Sequence, residues 1–209
     1  MSKLSIAFNA YTVNGVTEEM AIGAIRSFRP HVDEIVFSED GGIESTAIRG
    51  LVDQYIWHEN LGSCRCTNIG WNFANDDADF VINAQTDTSY VSGNLRDLCL
   101  PDKITNPLIV DKDGMRTISN FNGDQHSEFF CVPRLMKEKY GTFDERMRNY
   151  HHEFLYFDKI VPDWKQVESV VVCHLGHGTI NQLVKQGWDE RRYLARDWQI
   201  YQEILRENR

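Results

Sequence analysis

The chain has 209 residues, 42% of them hydrophobic and 25% charged, a composition that suits one globular domain and excludes disordered, collagenous and coiled-coil proteins. Its formal net charge of −9 leaves no basic groove for duplex nucleic acid, and between His31 and Ser89 eleven acids face two bases, Arg49 and Arg65. Five cysteines, of which only Cys64 and Cys66 lie close together, predict free thiols; with no apolar run near the ~20 residues of a membrane span, the expectation is a soluble cytoplasmic protein.

Leu4 to Ala10 alternates like a strand. Thr17 then offers a helix N-cap, Ala21, Ala24, Ile25 and Phe28 recur on one face, and Pro30 marks the stop. Glu34 to Phe37 reads as a short buried strand. Ser45 is placed to cap a second helix carrying Ile48, Leu51, Val52 and Tyr55. Tyr55 to His58 predicts a third strand, Ser63 to Asn75 a helix and Phe80 to Ala84 a fourth strand. This alternation predicts a doubly wound α/β unit with a parallel sheet covered on both faces.

Beyond Ser89 the pattern is less regular. Ser92 to Cys99 reads as helical, Pro107 to Val110 and Phe129 to Val132 as strands, and Arg134 to Tyr140 as a short helix after Pro133. His151 to Ile160 predicts another helix and Val167 to Cys173 a buried strand. A final helix from about Asp189 places Leu194, Trp198, Tyr201 and Leu205 on one face, as core packing or as a homodimer contact. No linker or repeat divides the chain, so 1–209 is expected to be a single domain, with a nucleotide-binding half at 1–89, a catalytic half at 90–180 and a helical extension at 181–209.

Ligands of open α/β sheets bind beyond the carboxyl ends of the parallel strands. Here those exits read Ala10-Tyr11-Thr12, Ser38-Glu39-Asp40-Gly41-Gly42, His58-Glu59-Asn60-Leu61-Gly62 and Gln85-Thr86-Asp87-Thr88. All four are polar or glycine-rich and three carry an acid, which fits a nucleotide-type cleft; ordinary turns and a solvated acidic face are the plainer alternative. Because such a surface repels bare phosphate, a bound nucleotide would need a divalent cation.

Taken together, these motifs resemble the GT-A-fold glycosyltransferases, close to the large family 2 of inverting enzymes that use nucleotide-diphospho-sugars. The resemblance runs from Leu4 to Thr179 through Glu39-Asp40-Gly41-Gly42, Asn60-Leu61-Gly62, Arg65-Cys66-Thr67-Asn68-Ile69-Gly70, Gln85-Thr86-Asp87, Gly141-Thr142-Phe143-Asp144-Glu145, His152-Glu153 and His174 to Thr179. It implies a Rossmann-like, mostly parallel sheet, and donor contacts from Ala10, Tyr11, Thr12, Glu39, Asp40, Arg65, Asn68, Gln85 and Thr86. It further implies Mn²⁺ or Mg²⁺ on Asp87, with His174 or His177 as second ligand, and Glu153 as the base that deprotonates an acceptor hydroxyl, with Asp144 as its competitor. Two departures stand out: Gln85 replaces the first acid of a D-x-D motif, and His152 the first acid of an E-D pair.

Each residue also has a plainer role open to it. Asp87 fits a turn acid, His174 a core histidine, Glu153 an exposed helical acid, and Arg65 a surface ion pair. Cys64 and Cys66 with His174 and His177 lack the usual zinc spacing. Two other functions compete: a silent nucleotide-sugar-binding domain, and a sugar-phosphate nucleotidyltransferase, which the missing Gly-rich basic loop after the first strand argues against. The acceptor (glycan, protein or modified nucleic acid) is left open.

Overall fold

The computed structural model describes residues 2–74, 78–117, 125–176, 178–187 and 189–207. Its first half follows the predicted alternation: β1 (Leu4–Ala10), α1 (Gly15–Phe28), β2 (Glu34–Asp40), α2 (Thr46–Arg49), β3 (Gln54–His58), α3 (Ser63–Phe73) and β4 (Phe80–Gln85). The second half holds β5 (Thr88–Ser92), β6 (Ile104–Val110), β7 (Phe129–Pro133), α4 (Arg134–Tyr140), α5 (His152–Ile160), β8 (Trp164–His174), α6 (Gly178–Lys185) and α7 (Glu190–Glu207).

One eight-stranded sheet runs in the order β3-β2-β1-β4-β7-β6-β8-β5. The first four strands are parallel. β7 then pairs antiparallel with both β4 and β6, and β8 runs parallel to β6 but antiparallel to β5. The parallel sheet expected of the first 90 residues is thus β3-β2-β1-β4, and the strands of the second half add the antiparallel pairings. Because β7 enters where β4 leaves, the start of one strand faces the end of the other.

Pleating divides the apolar residues between two cores. Phe8, Ile35, Phe37 and Phe129 face α1, where Ala21, Ala24, Ile25 and Phe28 are buried. Ala7, Val36 and Phe130 face the opposite side, with Trp71 of α3 and Tyr156 and Phe157 of α5. Phe28 stacks on Phe129 with centroids 5.1 Å apart, an arrangement that adds about 0.5–1.5 kcal/mol to the burial itself.

Local differences from expectation have local causes. The cap of α1 is Asn14, whose Oδ1 accepts from Val16 N and Thr17 N, each at 3.1 Å; Thr17 closes the reciprocal bond by accepting from Asn14 N. α2 does start after Ser45 but lasts only four residues, because Gln54–His58 pairs with β2. The helix expected over Ser92 to Cys99 is instead the end of β5 and a 3₁₀ turn at Leu95–Leu98. Gly93 makes that junction: its φ is 99°, and a side chain there would run into the Ser169 carbonyl of β8.

Candidate active site

A cleft of about 670 Å³ opens over the carboxyl ends of the parallel strands. β1 contributes Ala10 and Tyr11, β2 contributes Asp40, and the turn after β4 contributes Gln85, Thr86 and Asp87. Glu128 approaches from the head of β7, His174 from the end of β8, Glu153 and Phe154 from α5, and Leu183 from α6.

Strand pairing places the first two key side chains. Thr88 is in register with His174 across the β5–β8 ladder, and Leu175 N donates to Asp87 O at 2.9 Å. Asp87 Oδ2 thus lies 3.3 Å from His174 Nε2 and also accepts from Gly178 N at 3.0 Å. Burial pushes the Asp87 carboxyl up, but His174 and the Gly178 N–H outweigh it and hold the pKa below its usual value. For His174, burial lowers the pKa, and the carboxylates of Asp87 and Glu128 more than reverse this, leaving it raised.

These two residues fit a divalent cation. His174 Nε2 is buried with no hydrogen-bond partner, although an acid stands beside it. Its 3.3 Å from Asp87 is close to the roughly 3.0 Å between neighbouring donors on an octahedral ion. Among the described residues no group of three or more His, Cys, Asp or Glu is arranged to hold a metal. Asp87 and His174 alone would therefore leave the remaining positions to ligand oxygens and water. His177 lies outside the described residues. Cys64 Sγ lies 3.3 Å from the Asp144 carbonyl and Cys66 Sγ 3.2 Å from the Ser38 carbonyl, and burial pushes the Cys66 thiol up to about 12.

On the far side of the cleft Glu153 sits in the first turn of α5. Its Oε2 is buried without a hydrogen bond, 3.3 Å from His152 Nδ1. The residue before that pair, His151, has a left-handed φ of 63°, a strained geometry that turns the chain into α5 beneath the cleft. Asp197 of α7 holds this approach: its Oδ2 accepts from the backbone N–H groups of Arg148, Asn149 and Tyr150 at 3.2, 2.7 and 3.0 Å.

The two acids at the end of β2 take different parts. Asp40 lines the cleft and accepts from Leu61 N at 2.6 Å and Gly62 N at 2.9 Å, with burial raising its pKa. Glu39 does not reach the cleft. It is wholly buried and its Oε1 ties Thr12 N to Gly42 N at 2.9 and 3.1 Å, which also keeps Thr12 inside; burial raises its pKa too.

Three further expected contacts lie off the cleft. Arg65 is half-exposed and pairs with Glu145 at 3.3 Å. Asn68 is buried and clasps the backbone of Phe143, donating to its carbonyl and accepting from its N–H. Asp144 is engaged by Arg146 at 2.7 Å, which holds its carboxyl below the usual range. The arginine that lines the cleft is Arg148, whose guanidinium donates to the Asn60 carbonyl at 2.8 Å. Arg148 and Glu128 carried no motif of their own, and strand pairing together with the Asp197 anchor is what brings them to the cleft.

No family model and no curated protein sequence matches the chain. Solved structures do resemble it. GalNAc-T7, crystallised with UDP, GalNAc and Mn²⁺, superposes with a TM-score of 0.65 at 14% identity over 83% of this chain. TarS 1–349 of S. aureus gives 0.63 at 13% identity over 84%. Glucosyl-3-phosphoglycerate synthase from Mycobacterium tuberculosis, in complex with Mn²⁺, UDP and glucosyl-3-phosphoglycerate, gives 0.54 at 14% identity over 83%. The chain spans 43%, 61% and 72% of the lengths of these three. At such identities the likeness is one of architecture, and the architecture is the GT-A fold of nucleotide-sugar glycosyltransferases.

Proposed function

We propose that this chain is a metal-dependent glycosyltransferase that moves a sugar from a nucleotide-diphospho-sugar to a hydroxyl acceptor with inversion. The observation that carries this reading is the pairing of Asp87 with an unsatisfied His174 nitrogen in the same cleft as the buried carboxylate of Glu153. Two neighbours of the same fold were crystallised with UDP and Mn²⁺, which supports a donor and an ion of that class.

In this reading Ala10, Tyr11 and Asp40 receive the nucleoside at the ends of β1 and β2. Gln85 and Thr86 line the floor where the diphosphate lies. Asp87 and His174 would hold the ion, which when bound would supply positive charge beside the leaving diphosphate. Glu153 Oε2 takes the proton of the acceptor hydroxyl as that oxygen attacks the anomeric carbon from the opposite side, a single displacement. Arg148, which lines the cleft, offsets part of the acidity around the donor. Glu39, Thr12, Arg65, Asn68 and Asp144 shape the walls without touching the substrate. The five free cysteines fit a reducing, cytoplasmic setting.

A second reading, a nucleotide-sugar binder without turnover, draws on Gln85 and His152. Donor hydrolysis and donor binding, measured separately on wild type and Glu153→Gln, decide between them. The enzyme loses turnover and keeps binding, whereas a binder shows no turnover in either protein.

A further inference from the structure

The geometry points to Glu128 as a positioning residue that orients His174 towards the metal, an inference that rests on the proposed metal reading. Glu128 opens the turn into β7, and its backbone carbonyl accepts from Gln85 N at 2.9 Å, so it stands level with the exit of β4 although it belongs to a different strand. Its carboxylate is wedged between two imidazoles. Oε1 lies 3.9 Å from His174 Nδ1, and Oε2 lies 3.4 Å from His126 Nδ1, with His126 itself almost wholly buried.

An imidazole that binds a metal through one nitrogen carries its proton on the other, and that N–H needs an acceptor in a buried site. His174 presents Nε2 to Asp87 and Nδ1 to Glu128. The carboxylate therefore stands where it selects the Nδ1–H tautomer, fixes the ring plane and raises the basicity of Nε2. At 3.9 Å the contact in the metal-free chain is electrostatic, longer than a hydrogen bond. The charge matters as well as the hydrogen bond. With neutral Gln85 at the end of β4, Asp87 is the one carboxylate of that turn, and Glu128 supplies a second negative charge through the imidazole. His126 Nδ1 stands 3.4 Å from the other carboxylate oxygen, close enough to attract it when protonated.

The test is Mn²⁺ affinity, read from the free-ion paramagnetic resonance signal without any donor, for wild type, Glu128→Ala, Glu128→Gln and Asp87→Asn, with melting curves to establish folding. Glu128→Ala is expected to weaken Mn²⁺ binding about 10–100-fold. Glu128→Gln, which keeps an acceptor oxygen without its charge, should fall between Ala and wild type. A folded Glu128→Ala protein with wild-type Mn²⁺ affinity overturns the assignment. If the Ala variant does not fold, the Gln variant decides: a several-fold loss supports the role, and wild-type affinity overturns it. Loss in Asp87→Asn without loss at Glu128 removes only this inference. Unchanged Mn²⁺ binding in Asp87→Asn removes the metal reading and this inference with it.

Discussion

Asp87 Oδ2 lies 3.3 Å from His174 Nε2, one residue from the turn after β4 and the other from the last position of β8. The β5–β8 ladder creates that proximity, since Thr88 and His174 are directly paired. A carboxylate and an imidazole so placed in a cleft of a GT-A sheet form the core of the proposed site.

The pair makes metal binding depend on pH. Without metal, the two carboxylates around His174 raise its pKa above 6.5, so an ion binding at Nε2 must displace a proton. Mn²⁺ affinity should therefore strengthen as pH rises from below 6.5 through the raised value and then level off, by up to about tenfold per pH unit. The metal-free fold shows the opposite trend: the pair's contribution is full below the unfolded pKa and is lost as pH rises through the folded one. Calorimetric titrations of Mn²⁺ between pH 5.5 and 8.5 check this, and His174→Asn should flatten the profile.

Glu153→Gln keeps the shape of the side chain and removes its basicity. Turnover should fall about 10²–10⁴-fold while Mn²⁺ and nucleotide binding are preserved. Equal loss of binding and turnover would instead mark Glu153 as a structural residue of α5.

Asp197→Ala leaves three backbone N–H groups at Arg148, Asn149 and Tyr150 without their acceptor, at a cost on the order of 3 kcal/mol. A lowered melting temperature is expected, together with reduced kcat because the approach to Glu153 loosens. Asp197→Asn retains an acceptor oxygen and should recover much of both, as urea unfolding and steady-state kinetics will show.

Gly62 enters α3 with φ 97°, facing the side chain and carbonyl of Arg148 across the cleft wall. Gly62→Ala is strained whatever its neighbours do, and should lower stability by about 1–3 kcal/mol. Denaturant midpoints measure this. An unchanged midpoint would mean that the loop shifts freely and that the wall is not fixed.

The first half of the sheet is readable in the sequence because each strand there ends in a polar exit, and Ala10, Tyr11, Gln85, Thr86 and Asp87 of those exits line the cleft. The second half was less readable because its pairing is non-local. β5 carries no apolar alternation of its own, and β7 enters antiparallel, so nothing near Glu128 in the chain announces that it meets His174. Glu39 and Asp40 show a finer limit. Adjacent acids at a strand end point to opposite faces, and only register decides which one sees the cleft. On α7 Tyr201 and Leu205 of the expected stripe pack beside Ile204, but Trp198 is half-exposed and the fully buried positions are Asp197 and Ile204. A charged residue inside an apolar face is invisible to periodicity, and here it is the residue that holds the backbone of Arg148, Asn149 and Tyr150.

The most direct measurement is the binding of uridine diphosphate to wild type and to Asp87→Asn, each with and without Mn²⁺. Wild type should bind at least about tenfold more tightly when Mn²⁺ is present, and Asp87→Asn should lose that gain. Binding by wild type that is indifferent to Mn²⁺, and unchanged when Asp87 is replaced, would contradict the account.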